Sequence, residues 1–245
     1  MRILILDTET TGLVPKGVRQ VNMNTVNMYP HIIQFSYLIC DNGEIEKTVN
    51  HIIRLPKEIV MNEKNMSIHK ITNEMSQEQG SDIKTVLLEF GKDLKNNINL
   101  IVAHNTEFDW NVIKAEYLRV IKNNIDTNSP VEFWNVLDSM TLMSRNLYCT
   151  MKESVSICKL TTTSKDGSEF EKWPKLEELH KCLFGVVPIN LHNSLNDCFV
   201  CLRCFYKMKY DKDICIENKE IAMKFIELLP VESEDALETN VESEL

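Results

Sequence analysis

The sequence predicts an α/β protein built on a mixed sheet, and three observations carry that prediction. The run Ile3-Leu4-Ile5-Leu6 is apolar without a helical period and reads as a buried strand. Strand-like residues 31–40 and 45–55 are joined by Asp41-Asn42-Gly43-Glu44, a hairpin turn signal. Beyond residue 80, helical and strand patterns alternate, as in a layered α/β arrangement.

Each element follows from local pattern. Residues 13–30 are polar, with Asn22, Asn24, Asn27 and Pro30, and read as a loop. Residues 56–80 are irregular, with short helical pieces. Residues 82–95 carry Ile83, Val86, Leu87, Phe90 and Leu94 at a helical period, and 99–103 form another strand. Residues 106–122 read as a helix, and 131–143 as a strand followed by the start of a helix. Residues 144–172 are rich in Ser, Thr and Lys, contain Asp166-Gly167, and read as an inserted loop. A helix over 175–184 ends at Gly185, a residue suited to the left-handed position after a helix. A strong helix follows over 194–209, and one more over 218–229.

With 245 residues, 43% of them hydrophobic, the chain can bury one sizeable core. The expected organisation is a main domain over 1–210 with inserted loops near 14–30 and 144–172, a helical extension over 211–230, and an acidic, disordered tail over 231–245. That tail holds Glu232, Glu234, Asp235, Glu238, Glu242 and Glu244 with no Lys or Arg, so six of the nine excess charges sit there and the body is close to −3. The balance excludes a broadly basic protein that coats nucleic acid, but not an enzyme gripping one end of a strand. The tail either solvates the terminus or meets a basic partner. The 8 cysteines follow no secreted disulfide framework, and the opening residues are too short for a signal peptide. No apolar run approaches the ~18 residues of a membrane span. The expectation is an intracellular protein, cytoplasmic or nuclear, not secreted and with no membrane partner.

Three stretches carry chemistry. In Asp7-Thr8-Glu9-Thr10-Thr11-Gly12, two acids at i and i+2 of a strand share a face, where their repulsion calls for compensation. In His104-Asn105-Thr106-Glu107-Phe108-Asp109, an acid enters the first turn of a helix; Thr106-x-x-Asp109 also has the spacing of a capping box. His192-Asn193-Ser194-Leu195-Asn196-Asp197 repeats that spacing at Ser194-x-x-Asp197, and a Ser194 cap leaves His192 outside the helix on the entering loop. Singly, capping and a surface histidine explain the last two. Together, Asp7, Glu9, Asp109 and Asp197 can converge on a divalent pair, and hard oxygen ligands suit Mg²⁺ or Mn²⁺. Two such ions ~3.5–4 Å apart hold the attacking and leaving oxygens of a phosphodiester. An imidazole titrates close to neutrality, so His192 can take a proton from the attacking water.

Asp7-x-Glu9, Asn105-x-x-x-Asp109 and His192-x-x-x-x-Asp197, in this order, resemble the signature of the DEDDh exonucleases. These are the DnaQ-like 3′-to-5′ exonucleases of the ribonuclease H-like superfamily, and the chain looks closest to the proofreading DNA enzymes. The resemblance implies a mixed five-stranded sheet flanked by helices. It implies two Mg²⁺ or Mn²⁺ held by Asp7, Glu9, Asp109 and Asp197, with Asp7 between them and His192 as general base. Thr8, Thr10, Thr11 and Gly12 would hold the terminal nucleotide near its sugar, with Gly12 allowing a close turn, and Asn105 and Phe108 would line the 3′-end pocket. The implied reaction releases nucleoside 5′-monophosphates from a nucleic-acid 3′ end, DNA favoured and RNA possible, with a polymerase as a possible protein partner; the lack of a basic surface and a pocket for one terminal nucleotide lead to the expectation that single-stranded ends are preferred.

Weaker matches follow. Ile68-His69-Lys70-Ile71-Thr72 resembles an Ile-His-Gly-Ile-Thr segment of proofreading members, with Lys70 in place of Gly; His69 either contacts the terminal base or caps a loop. Val136-Leu137-Asp138-Ser139 resembles the family's Leu-Asp-Thr at the next strand end, which makes Asp138 a supporting residue rather than a metal ligand. Trp173-Pro174-Lys175-Leu176-Glu177-Glu178-Leu179 resembles the short helix before the third motif. Cys198-x-x-Cys201-x-x-Cys204 lies on one stripe of a continuous helix and reads as core packing, with zinc or redox chemistry as the alternatives. Two competing functions remain: an exoribonuclease with the same chemistry, and a non-catalytic nucleic-acid-binding module on this fold.

Overall fold

In the computed structural model, residues 1–123 and 130–230 are described. Strand β1 (Arg2–Thr10) extends beyond its apolar run through both acids of the first motif. A loop with a short 3-10 turn at Val26–Met28 leads to β2 (Ile32–Asp41), and the predicted hairpin leads to β3 (Glu44–Ile52). Its central residues have φ of 51° at Asn42 and 94° at Gly43, the positive pair that a type I′ turn requires. Helices α1 (Glu63–His69), α2 (Asn73–Gln79) and α3 (Ile83–Leu94) precede β4 (Leu100–Ala103) and α4 (Thr106–Asn123). Next come α5 (Pro130–Met143), β5 (Leu147–Cys149), α6 (Thr150–Glu153), α7 (Val155–Cys158) and the small hairpin β6 (Thr161–Thr163) to β7 (Glu169–Glu171). The order closes with α8 (Leu176–Phe184), α9 (Ser194–Tyr210), α10 (Ile214–Glu217) and α11 (Lys219–Leu228). Among the described residues, no helix is long and apolar enough to cross a membrane.

The main sheet has five strands in the order β3-β2-β1-β4-β5. β1 is antiparallel to β2 and parallel to β4, and β5 is parallel to β4. The register Ile3 to Leu100, Leu4 to Ile101 and Ile5 to Val102 delivers the carboxyl ends of β1 and β4 to the same edge. In open α/β sheets that edge is where ligands bind.

Strand alternation divides the core. Leu4 and Leu6 face α3, α4 and α5, packing with Phe90, Trp110, Ile113, Tyr117 and Phe133. Ile3 and Ile5 face the other way, against α9, α8 and α11. Asp7 and Glu9 continue the face of Ile3 and Ile5 beyond the core, toward the start of α9. Cys198, Cys201 and Cys204 are buried in that second core, with Cys198 Sγ 3.4 Å from the Ser36 carbonyl, so they fill space as small apolar residues. The helices after residue 210 join this core through Ile214, Ile221 and Phe225.

Two expected segments come out differently. Residues 131–143 hold no strand: Phe133, Val136 and Met140 are buried on one stripe of α5, and their three- and four-residue spacing wins over the local Val-Leu pattern. Asp138 therefore sits exposed in mid-helix, not at a strand end. The missing strand, β5, lies inside residues 144–172, which are thus not a plain inserted loop; with three residues it was too short to show a period.

Candidate active site

Four carboxylates gather at the sheet edge. Asp7 and Glu9 come from the end of β1, Asp109 from the first turn of α4, and Asp197 from the first turn of α9. Oxygens of Glu9 and Asp197 and a ring nitrogen of His192 all lie within 4.8 Å of one another. Asp7 and Asp109 stand outside that tight trio but close enough to repel its members.

Local bonding fixes each acid. Asp109 Oδ1 accepts from the Thr8 amide at 3.1 Å and from the Thr8 hydroxyl at 2.7 Å, stapling α4 to β1. The expected capping box is therefore not made: the Thr106 hydroxyl donates to the carbonyls of Ala103 and Tyr148 instead. Thr8 lies between two acids on a strand, so its side chain points to the opposite face. It is only 7% exposed, with its hydroxyl on Asp109. At the third motif the cap is Asn193, whose side chain accepts from the amides of Leu195 and Asn196, while the Ser194 hydroxyl meets that of Ser36 at 2.7 Å. His192 stays outside the helix as expected, exposed, with its amide donating to Asp197 Oδ2 at 3.2 Å. Asn105 and His192 both adopt left-handed backbone, with φ of 79° and 64°. Such conformations cost non-glycine residues roughly 1–2 kcal/mol and collect at functional sites.

Burial drives all four carboxyls upward. Asp7 is held well above the usual carboxylate range by burial, then by repulsion from Asp109, Asp197 and Glu9. Burial takes Glu9 up to about 7. It also takes Asp109 to about 7, against the pull of the two Thr8 bonds. Asp197 is raised well above its ordinary range by burial and by Glu9. Its Oδ1 is buried with no hydrogen-bond partner. An orphaned carboxylate oxygen among hard oxygen donors and an imidazole fits a divalent cation such as Mg²⁺ or Mn²⁺.

One cleft opens on the acids and a second adjoins it at Asn105. The first, of about 570 Å³, is lined by Asp7, Leu13, His104, Asn105, Trp173, His192 and Asp197, among others. The second, of about 350 Å³, is lined by Val14, Val18, Arg19, Tyr29, Asn105 and Phe108. Asn105 belongs to both. The Thr10 hydroxyl donates to the Gly12 carbonyl at 2.6 Å, and Thr11 bonds reciprocally with His31, so the turn after β1 is held firmly. Gly12 needs no special backbone: its φ is not positive, and a Cβ there would meet only Asn65 Nδ2 at 3.8 Å. His69 is buried at the end of α1. Its Nδ1 accepts from the Ile71 amide at 3.2 Å, which caps the turn, while its Nε2 has no partner. Burial and the nearby His192 lower its pKa. Lys70 holds the expected glycine position in left-handed backbone, φ 61°, and the turn survives.

Sequence reasoning gave His104 no role. Its Nε2 meets the Pro174 carbonyl at 3.0 Å, and Nδ1 meets the Thr150 hydroxyl at 3.0 Å. Burial lowers its pKa to about 4, so the neutral ring ties the end of β4 to the segment before α8.

A five-stranded mixed sheet with four acids at its carboxyl edge is the architecture of the DnaQ-like exonucleases in the ribonuclease H-like superfamily. The chain belongs to the exonuclease family RNase_T, whose model it matches over residues 4–205. The class is that of 3′-to-5′ exonucleases, metal-dependent hydrolases that act on nucleic acid. The DNA polymerase III subunit epsilon of Buchnera aphidicola subsp. Schizaphis graminum (strain Sg) is 23% identical over 220 residues, covering 90% of this chain and 79% of the relative. E. coli Exonuclease I in complex with a dT13 oligonucleotide superposes with a TM-score of 0.57 at 15% identity, over 91% of this chain and 45% of that one. Exonuclease I from Methylocaldum szegediense gives 0.55 at 15% identity, over 91% of this chain and 44% of that one. The chain thus spans less than half the length of these solved structures, which share its fold.

Proposed function

We propose that this chain removes nucleotides one at a time from the 3′ end of DNA, with a preference for single strands, releasing nucleoside 5′-monophosphates. The observation that carries the reading is the convergence of Asp7, Glu9, Asp109, Asp197 and His192 beside an open cleft, with Asp197 Oδ1 left without a partner. Asp7, Glu9, Asp109 and Asp197 would hold two divalent cations, Mg²⁺ or Mn²⁺. These would neutralise the charge that builds on the phosphate and acidify the attacking water.

The chain's own residues supply the rest. Both Thr8 hydrogen bonds favour the carboxylate form of Asp109 and oppose the effect of its burial. The loop before α9 presents the exposed His192 ring to the cleft, where it takes the proton of the attacking water. The firm turn at Thr10–Gly12 offers backbone and hydroxyl groups to the terminal sugar, and Asn105 and Phe108 flank the terminal base. Such a pocket admits one nucleotide at a chain end, which favours exonucleolytic over internal cleavage.

The test is digestion of 5′-labelled DNA and RNA oligonucleotides side by side, with Mg²⁺ and with chelator. The expected result is stepwise shortening of single-stranded DNA that requires the metal. Faster digestion of RNA would move the substrate assignment to an exoribonuclease, and equal cutting within circular single strands would refute the exonuclease reading.

A further inference from the structure

Trp173 lines the larger cleft and is 63% exposed, whereas Trp110 is buried in the core. Its backbone is held on both sides. The Lys172 amide donates to the Leu160 carbonyl at 2.9 Å, the Pro174 carbonyl meets His104 Nε2 at 3.0 Å, and the Lys175 amide donates to Glu178 Oε2 at 2.8 Å. Pro174 further restricts the chain. A large flat side chain thus stands open on a held stretch of backbone, in a cleft that Asp7, Asp197 and His192 also line. Lys152 Nζ lies 6.0 Å from the ring centroid and pairs with Glu107 at 2.9 Å, a solvated contact that is cheap to exchange for a phosphate.

The charge around this cleft says what such a surface is for. Four clustered acids give this cleft little field with which to hold a polyanion. Stacking on an aromatic face is indifferent to that field and to base identity, and it needs bases that are unpaired. We propose that Trp173 is the stacking platform for a base of the single-stranded substrate on the 5′ side of the terminal nucleotide. This subsite rests on the exonuclease reading above. It makes Trp173 a determinant of strand choice, because a base inside a duplex cannot lie on the indole. Because the backbone that carries it is held beforehand, little main-chain freedom is lost when a base settles on the indole.

The experiment uses oligothymidylates, intact or with one abasic residue at successive positions from the 3′ end, and reads KM and kcat for the full chain, Trp173→Ala and Trp173→Phe. In the parent, one position behind the terminal nucleotide should show KM raised about 5- to 100-fold when its base is missing. Trp173→Ala should raise KM for the intact strand by a similar factor and erase the penalty at that position, with kcat little changed. Trp173→Phe should keep most of both. An alanine variant with the parent's KM, or with the parent's abasic penalty, overturns the platform. A parent that hydrolyses neither the oligonucleotides nor the p-nitrophenyl ester of thymidine 5′-monophosphate overturns the exonuclease reading along with it. A parent active on both, with Trp173→Ala indistinguishable from it, overturns the platform alone.

Discussion

Replacing Glu9 by Gln should stabilise the metal-free protein while crippling the enzyme. Burial moves the Glu9 carboxyl from 4.5 to about 7. Each pH unit of that displacement costs about 1.36 kcal/mol once the group is ionised, roughly 3 kcal/mol in all. Glu9 keeps some contact with solvent, so screening reduces the figure to roughly 2 kcal/mol. The folded-state pKa is raised, so this stability is present at low pH and is lost as pH rises through about 7. Gln carries no charge and escapes the loss. For a chain of this size about 2 kcal/mol corresponds to roughly 4–8 °C in Tm. Thermal unfolding in chelator should therefore show Glu9→Gln above the parent by that margin at pH 8, with the two nearly level at pH 5. Saturating Mn²⁺ should reverse the order at pH 8, because binding to the folded state stabilises the parent more. A variant no more stable than the parent at pH 8 in chelator, or one equally favoured at pH 5, would refute the claim that the acid cluster is stressed without a cation.

Four further outcomes are expected. Asp7→Ala should abolish mononucleotide release, while His192→Ala should slow it by roughly 10²–10⁴ and leave Mn²⁺ binding, followed by calorimetry, largely intact. Thr8→Val should remove the 2.7 Å bond to Asp109, cost about 1.5–3 kcal/mol in denaturant unfolding at pH 8 and lower activity, with Thr8→Ser restoring both. His180 is buried against Phe225, with Nδ1 on the Val186 carbonyl and Nε2 facing Arg203, and burial takes its pKa from 6.5 to about 4. A lowered folded-state pKa means stability is lost as pH falls from 6.5 toward 4, and the His180 ring should stay neutral by NMR at pH 5.5.

The carboxylate positions were legible because strand alternation and helix starts leave little freedom. Asp7 and Glu9 had to share a face, and Asp109 and Asp197 had to enter first turns. The hairpin turn declared itself through Asn42-Gly43. What stayed hidden depends on tertiary contact. β5 is three residues long and exists because β4 lies beside it, so no local period marks it. Thr8 and His104 bond to groups more than forty residues away, and neither partner can be read from spacing. Asn193 and Ser194 are both good cap types; the choice fell to Asn193 because Ser194 is drawn to Ser36 on β2. The strained backbone at Asn105 and His192 was likewise invisible, although Asn and His are among the residues that tolerate it best.

The four acids and His192 form one centre, and diffraction tests it most directly. A crystal of the full chain soaked with Mn²⁺ and a nucleoside 5′-monophosphate should show two anomalous peaks roughly 3.5–4 Å apart, contacted by Asp7, Glu9, Asp109 and Asp197 with His192 adjacent. Peaks elsewhere, or none in a crystal whose protein hydrolyses DNA, would contradict it.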